Sequence, residues 1–146
     1  MNLKIGLFFI GFIALFSCQS SLKSPKTEVL EITYSSQFGM CHGYCHSKAV
    51  YNSKEASKLL KAWRDTVKFP TKREVNGISE KKWDSIVSSL DVNEFFALDA
   101  RIGCPDCADG GASSIEIKTK SKSYKVTYEY GSPPASLLQL ESLIKI

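Results

Sequence analysis

Two short cysteine-containing stretches constrain the fold of this chain more than any other feature. The first spans Cys41 to His46 (CHGYCH), and the second spans Cys104 to Gly111 (CPDCADGG). Together they hold four of the five cysteines and both histidines. Cysteines at such spacings commonly form disulfides or bind a metal ion. We therefore expect both stretches to be loops that are fixed by a covalent bond or by a metal.

The fifth cysteine, Cys18, lies at the end of an N-terminal export signal. A basic residue, Lys4, precedes an apolar run of 12 residues from Ile5 to Phe16. This run is shorter than the roughly 20 residues that span a bilayer. It ends in Leu15-Phe16-Ser17-Cys18, which resembles a bacterial lipobox. The resemblance implies a signal peptide over residues 1–17 and lipidation of Cys18; an uncleaved helical anchor is the alternative.

Residues 18–27 are predicted to be a lipidated tether, because they are rich in serine and lysine and lack an apolar period. Bacterial lipoproteins typically carry three acyl chains, palmitate among them. At about 0.8 kcal/mol per buried methylene, such an anchor holds the protein permanently on the membrane. In enterobacterial lipoproteins an aspartate after the lipidated cysteine causes retention in the inner membrane. Because Gln19 stands here instead, we expect a cell-envelope protein at the outer membrane.

Residues 28–146 are predicted to form one domain, since about 120 residues suffice for a single core. Loss of residues 1–17 removes one lysine and lowers the formal net charge from +4 to +3. This charge is small and dispersed along the chain. A nucleic-acid partner is therefore not expected.

The first part of this domain is predicted to contain strands. Leu30, Ile32 and Tyr34 alternate with polar residues, and Ser47 to Tyr51 is interpreted as a second strand. The stretch from Ala56 to Trp63 fits both a helical and an alternating pattern. Residues 67–70 are interpreted as an edge segment that ends in a proline.

One helix and a short capped turn are predicted in the middle of the domain. Ser79 can cap the first helix, and Ile78 can pack on Trp83 as a hydrophobic staple. The apolar stripe of this helix consists of Trp83, Ile86, Val87 and Leu90. Asp91 and Glu94 form a second capping signal before a short turn that carries Phe95 and Phe96.

The C-terminal part is predicted to form a hairpin followed by a helix. The hairpin turns near Ser121-Lys122, and its alternating residues are Ile115, Ile117 and Thr119 on one strand and Tyr124, Val126, Tyr128 and Tyr130 on the other. These tyrosines are expected in the core more than on a binding surface. Ser132-Pro133-Pro134 is predicted to open the last helix, whose inner face would carry Leu137, Leu140, Leu143 and Ile144. The sequence thus predicts an α+β fold: a single antiparallel β-sheet with two main helices packed on it and cysteine-stapled loops.

The order of these features resembles an uncharacterised domain family of bacterial lipoproteins with no assigned activity. The resemblance rests on the C-x-G-x-C loop from Cys41 to Cys45 and on the more specific loop from Cys104 to Gly111, and it covers about residues 29–146. It implies a hairpin over residues 49–61, and on that basis residues 59–63 are interpreted as strand. The chain lacks the turn glycine that the family usually has near Ser53.

Oxidation to disulfides is the default state for cysteines in an exported domain. Four thiols allow three complete pairings. Local pairing would join Cys41 to Cys45 and Cys104 to Cys107, whereas cross-pairing would join the two loops. The alternative is a zinc site built from both loops, with candidate ligands Cys41, His42, Cys45, His46, Cys104 and Cys107.

Other site chemistries receive less support from the residues. A reactive thiol at Cys104 or Cys107 is disfavoured, because Asp106 and Asp109 would raise its pKa. A calcium site on Asp99, Asp106 and Asp109 departs from the EF-hand pattern. Gly110 and Gly111 are instead expected to supply positive φ for a tight turn into the next strand.

The function expected from the sequence is non-enzymatic. It is that of an envelope lipoprotein with a binding or scaffolding domain, no cofactor, and a protein or small molecule as its unidentified ligand. There is no metalloprotease, P-loop or nucleophile-elbow motif, and both histidines lie in one loop. The alternative is a periplasmic zinc-binding or thiol-dependent enzyme that uses the two cysteine loops.

Overall fold

The computed structural model describes residues 29–145, which form a single mixed sheet with short helices. The predicted signal peptide, Cys18 and the predicted tether lie outside the described residues. The strands are β1 (Val29–Gln37), β2 (Tyr44–Tyr51), β3 (Glu55–Ala62), β4 (Lys72–Gly77), β5 (Arg101–Ile102), β6 (Ala112–Thr119) and β7 (Ser123–Glu129). The α-helices are α1 (Glu80–Ser88), α2 (Val92–Ala97) and α3 (Leu138–Ile144). None of the helices in this range is long and apolar enough to cross a membrane.

The sheet has the strand order β4-β3-β2-β1-β6-β7-β5. All neighbouring strands are antiparallel except β5 and β7, which run parallel with Arg101 beside Thr127. The predicted antiparallel sheet is therefore wrong at this edge. The second cysteine loop reverses the chain between β5 and β6, and β6 is antiparallel to β7, so β5 must run in the same direction as β7.

The core lies between one face of the sheet and the helices. Its fully buried residues on the sheet are Ile32, Tyr34, Ile115, Ile117, Val126 and Tyr128, and those on the helical side are Ile86, Phe95, Leu137, Leu140 and Ile144. The predicted stripe of α1 is confirmed, since Trp83, Ile86, Val87 and Leu90 are all buried. Three short helices of 9, 6 and 7 residues cover the sheet, where two main helices were expected.

A small polar cluster interrupts this core. The hydroxyl of Tyr34 lies 3.3 Å from the hydroxyl of Ser113 and donates to Glu141 Oε1 over 3.4 Å. The Tyr128 hydroxyl and Glu141 Oε2 are buried without a hydrogen-bond partner among the described residues. Burial raises the pKa of Tyr34 and of Tyr128 above the ordinary tyrosine value, and the nearby Glu141 adds to both shifts. Both phenols therefore stay protonated at neutral pH.

The beginning of β1 departs from the predicted alternation. Its pairing with β6 shifts register between Val29 and Glu31, so that Val29 is buried whereas Leu30 is exposed. Such an irregularity turns the side chains on either side of it to opposite faces. From Ile32 onward the expected core residues Ile32 and Tyr34 are buried, but Thr33 between them is buried as well.

The sequence-based prediction is correct for residues 59–62 and wrong for residues 67–69. The strand interpretation of residues 59–62 is correct, because β3 pairs with both β2 and β4, whereas Trp63 lies just beyond its end. Residues 67–69 are not an edge strand but part of a turn, in which Phe69 N–H donates to the Asp65 carbonyl over 2.9 Å. The edge strand is β4, whose sequence has no alternating apolar pattern because Val75 is its only large apolar residue.

The predicted helix caps are right for α1 and α2 and wrong for α3. The Ser79 side chain accepts from Lys82 N–H, and Asp91 accepts from Asn93 and Glu94 N–H. The α3 region instead begins after Pro134, which is extended (ψ 149°), with a 3₁₀ turn over Ala135–Leu137. Ser132 does not cap it, because Pro134 keeps the residue before it out of the helical region and delays the helix.

Candidate binding site at the cysteine-loop end of the sheet

Each cysteine loop is closed by its own disulfide. Cys41 is bonded to Cys45 and Cys104 to Cys107, with Cα–Cα distances of 5.6 and 5.4 Å. The expected disulfides are therefore present. Of the two arrangements left open by the sequence, the structure has the local one.

The two loops meet at one end of the sheet, and Gly111 lies at their junction. Its φ is +79°, and a Cβ atom there would lie 2.6 Å from the Phe38 ring and 2.8 Å from the Gln37 carbonyl oxygen. Only glycine can bring the second loop so close to the base of the first. Gly110 does not have the predicted positive φ, because its φ is −69°. The other residues of this loop with a left-handed backbone are Asp106, Ala108 and Asp109.

A cleft of about 260 Å³ opens where the loops meet β2 and β3. This aromatic cleft is lined by Gln37, Phe38, Gly39, Cys45, His46, Lys61, Ala62, Trp63 and Asp106. A second hollow of about 210 Å³ adjoins it and is lined by Met40, Cys41, His42, Gly43, Trp63, Arg64 and Asp65. Trp63 borders both spaces. The cleft thus combines residues from both cysteine loops with the end of β3.

Large apolar side chains are exposed around this cleft. Trp63, which is 62% exposed, and Phe38 line the cleft itself. Met40, which is 75% exposed, lines the adjoining hollow, and the solvent-accessible Tyr130 lies against Phe38. The Phe38 ring is held edge-on against Tyr130, with 5.0 Å between the ring centroids. The Phe38 N–H also donates to the Cys45 carbonyl over 2.9 Å. The Phe38 side of the cleft is therefore held in place by contacts within the protein.

The two histidines of the first loop have different surroundings. His42 packs edge-on against Phe69 at 5.3 Å between ring centroids. His46 belongs to β2, lies between Gln37 and Lys61 in the sheet, and lines the aromatic cleft. Burial lowers the pKa of His46, and the positive charges of Lys61, Lys48 and Lys125 lower it further. At neutral pH His46 is therefore an uncharged imidazole among lysines.

The candidate metal ligands are not gathered into one site. Within residues 29–145 no group of three or more His, Cys, Asp or Glu side chains could hold a metal ion. The four candidate thiols are used in the two disulfides, and Asp99, Asp106 and Asp109 form no cluster of this kind.

Of the residues that line the cleft, the sequence singled out Cys45, His46 and Asp106, each for a different chemistry, but not the apolar ones. No pattern singles out Phe38, Met40 or Lys61, and the alternating pattern places Trp63 in a strand. One signal was available: Phe38-Gly39-Met40 places two large apolar residues directly beside the cysteine loop, where a solvent-exposed turn would be expected to be polar.

Two comparisons of the sequence with known proteins gave no match. Neither the models of known protein families nor the curated protein sequences contain a match to this chain. The geometry of the cleft and the N-terminal sequence are therefore the basis for a functional proposal.

Proposed function

We propose that this protein is a lipid-anchored envelope protein, related to the uncharacterised lipoprotein domain family, whose domain binds a ligand through the aromatic cleft and performs no catalysis. The observation that carries the proposal is the exposure of Phe38 and Trp63 on the aromatic cleft, with the exposed Met40 on the adjoining hollow that Trp63 also borders. Contiguous apolar surface on a folded protein usually marks a binding site. The cleft therefore suits a ligand with an aromatic or aliphatic part.

The rigidity of the cleft supports the same function. The Cys41–Cys45 disulfide, the contact between Phe38 and Tyr130 and the close approach of Gly111 all restrict the loop that carries Phe38. A preorganised site loses less entropy on binding than a mobile loop does. A site of this kind can bind its ligand without catalytic groups.

Binding can be tested with the neutral aromatic probe N-phenyl-1-naphthylamine, whose fluorescence rises in apolar surroundings. We expect saturable binding to the wild-type domain and at least a tenfold loss of affinity in the Phe38→Ala/Trp63→Ala variant. The control is Leu138→Ala, which removes a similarly exposed apolar side chain from α3. Equal binding by all three proteins would place the probe elsewhere and remove the support for the cleft.

The first described residue, Val29, lies at the end of the sheet opposite the cleft. β1 starts at Val29 beside Thr119, whereas Gln37, at the far end of β1, pairs with Ala112 next to the second cysteine loop. A lipidated Cys18 followed by a short tether would attach the domain to the outer membrane by the Val29 end. The cleft would then face away from the bilayer, where it is accessible to a ligand.

The proposed lipidation of Cys18 can be tested separately. Cys18→Ser should abolish labelling with a palmitate analogue and release a folded, soluble domain from the membrane fraction. Retention of the label in this variant would show that Cys18 is not the lipidated residue.

The alternative, a zinc-binding or thiol-dependent periplasmic enzyme, makes a different prediction. It requires thiolates, so natively exported protein would contain stoichiometric zinc or free thiols at Cys41, Cys45, Cys104 and Cys107. The binding function predicts neither. Metal analysis and a thiol titration on the same preparation distinguish the two.

A further inference from the structure

The face of the sheet opposite the helices carries a second feature beside the cleft. Cross-strand pairing sets Ser35 between Lys48 and Ser114, and Ser114 beside Thr127. The short side chains leave a polar trough of about 260 Å³. It is lined by Ser35, Ser36, Gln37, His46, Lys48, Ala112, Ser113, Ser114, Lys125 and Thr127.

The groups around this trough are donors and positive charges. Lys48 and Lys125 line it and form no salt bridge within the described residues. Two carboxylates lie nearby but do not line the trough: Glu116 is the cross-strand partner of Lys125 and accepts from the Ser123 hydroxyl over 2.8 Å, and Glu129 accepts from Cys104 N–H over 2.8 Å. The lining of the trough itself thus carries two lysine ammonium groups and several hydroxyl donors, and no carboxylate.

The trough and the aromatic cleft adjoin each other, because Gln37 and His46 line both. We propose that the polar trough binds the anionic group, a carboxylate or a phosphate, of the ligand whose apolar part occupies the aromatic cleft. This inference rests on the proposed function and narrows it to one class of ligand, small amphipathic anions.

The chemistry of the trough fits such a group. The ammonium groups of Lys48 and Lys125 can form charge-assisted hydrogen bonds with anionic oxygens. The hydroxyls of Ser35, Ser114 and Thr127 can donate further hydrogen bonds from the floor. Because both lysines are exposed, each contributes modestly, and most of the affinity comes from joining the anionic group to an apolar part.

A matched pair of probes separates the two parts of the site. N-phenyl-1-naphthylamine and 8-anilinonaphthalene-1-sulfonate share one aromatic skeleton, and only the second carries an anionic group. Both are titrated against the wild-type domain, the Lys48→Gln/Lys125→Gln variant and the control Lys118→Gln/Lys120→Gln, which removes the same charge from exposed lysines at the other end of the sheet. Amide chemical shifts of Ser114, Thr127 and Trp63 locate each probe.

We expect the sulfonate to bind at least fivefold more tightly than the neutral probe and to shift Ser114 and Thr127 as well as Trp63. The Lys48→Gln/Lys125→Gln variant should abolish this preference and leave the neutral probe unaffected, whereas the control should keep it. Equal affinities of the two probes, or an equal loss in the control, would overturn the anionic subsite while leaving the cleft in place. Failure of both probes to shift Trp63 would overturn the cleft itself, and with it this inference.

Discussion

At the scale of single residues, Gly111 carries the contact between the two cysteine loops. Gly111→Ala should destabilise the domain by about 2 kcal/mol or more, because the new Cβ meets the Phe38 ring and the Gln37 carbonyl at a positive φ. Urea unfolding measures the effect. Gly77→Ala is the control, since a Cβ atom added there would meet nothing within 4 Å, and a change within about 0.5 kcal/mol is expected. Similar values for both variants would contradict the role given to Gly111.

Gly111 also shows what a local sequence pattern does not predict about a single residue. The Gly110-Gly111 pair predicts a positive φ near the strand, but it does not say which glycine adopts it. Gly111 does, with its carbonyl accepting from Asp106 N–H over 2.9 Å while its Cα lies against Phe38. These contacts involve residues far apart in sequence, and no local pattern contains them. The prediction for Leu30 is wrong for a similar reason, because the irregular pairing with β6 decides which way it faces.

At the scale of elements, the two tryptophans provide a matched test of helix packing. Trp83 joins α1 to the core and is 8% exposed, whereas Trp63 is 62% exposed at the cleft. Trp83→Ala should destabilise the domain by about 3–5 kcal/mol through the cavity that it leaves. Trp63→Ala should change stability by less than about 1 kcal/mol and act on binding instead. Thermal and urea unfolding of both variants measure the difference; a loss below about 1 kcal/mol for Trp83→Ala would show that α1 is not held through this side chain.

Helices and strands with a strong hydrophobic period could be predicted from the sequence. Strands that form only by pairing with a neighbouring strand could not. The stripe of α1 and the alternation of β6 are visible in the sequence, and the structure follows both. The alternation of β7 holds from Tyr124 to Tyr128, but Tyr130, which was expected in the core, lies beyond the strand and is 43% exposed. β4 carries one large apolar residue on an exposed edge and β5 has two residues, so neither has a measurable period. They become strands only because β3 and β7 offer free edges for pairing.

At the scale of the whole molecule, the aromatic cleft exists only after the sheet has formed. The register between β2 and β3 brings Lys61 beside His46, and the register between β1 and β6 brings the second cysteine loop to Phe38. The sequence could indicate that both cysteine loops matter, but not that Trp63 and Asp106 line one space. Long-range pairing creates this site, and a single sequence does not reveal such pairing.

The buried tyrosines are expected to lower the stability of the folded domain at alkaline pH. Burial raises the pKa of Tyr34, Tyr51 and Tyr128 above their ordinary value of about 10. Above about pH 10 the unfolded chain therefore releases protons that the folded chain keeps, so the free energy of unfolding falls as the pH rises. We expect the melting temperature to drop between about pH 9 and 11, and to drop less in Tyr128→Phe. Absorbance at 295 nm should show delayed tyrosine ionisation in the native protein relative to the guanidine-unfolded chain, and coincident titrations would contradict the burial of these phenols.

The local pairing of the disulfides determines how the whole molecule responds to reduction. Each bond joins residues only 4 or 3 positions apart, so each closes a small loop and restricts the unfolded chain little. The chain-entropy model gives about 2 kcal/mol or less for each bond, which corresponds to a shift of about 5–10 °C in melting temperature.

Reduction should therefore lower the melting temperature without unfolding the domain at 25 °C, because the sheet pairing and the core do not depend on either bond. Cys41→Ser/Cys45→Ser should in addition weaken binding of the neutral probe, since this bond restrains the loop that carries Phe38, whereas Cys104→Ser/Cys107→Ser should affect it less. Circular dichroism with and without reductant, combined with mass spectrometry of unreduced digests, measures both effects. Complete unfolding on reduction, or peptides cross-linked between the two loops, would show that the disulfides tie the loops to each other.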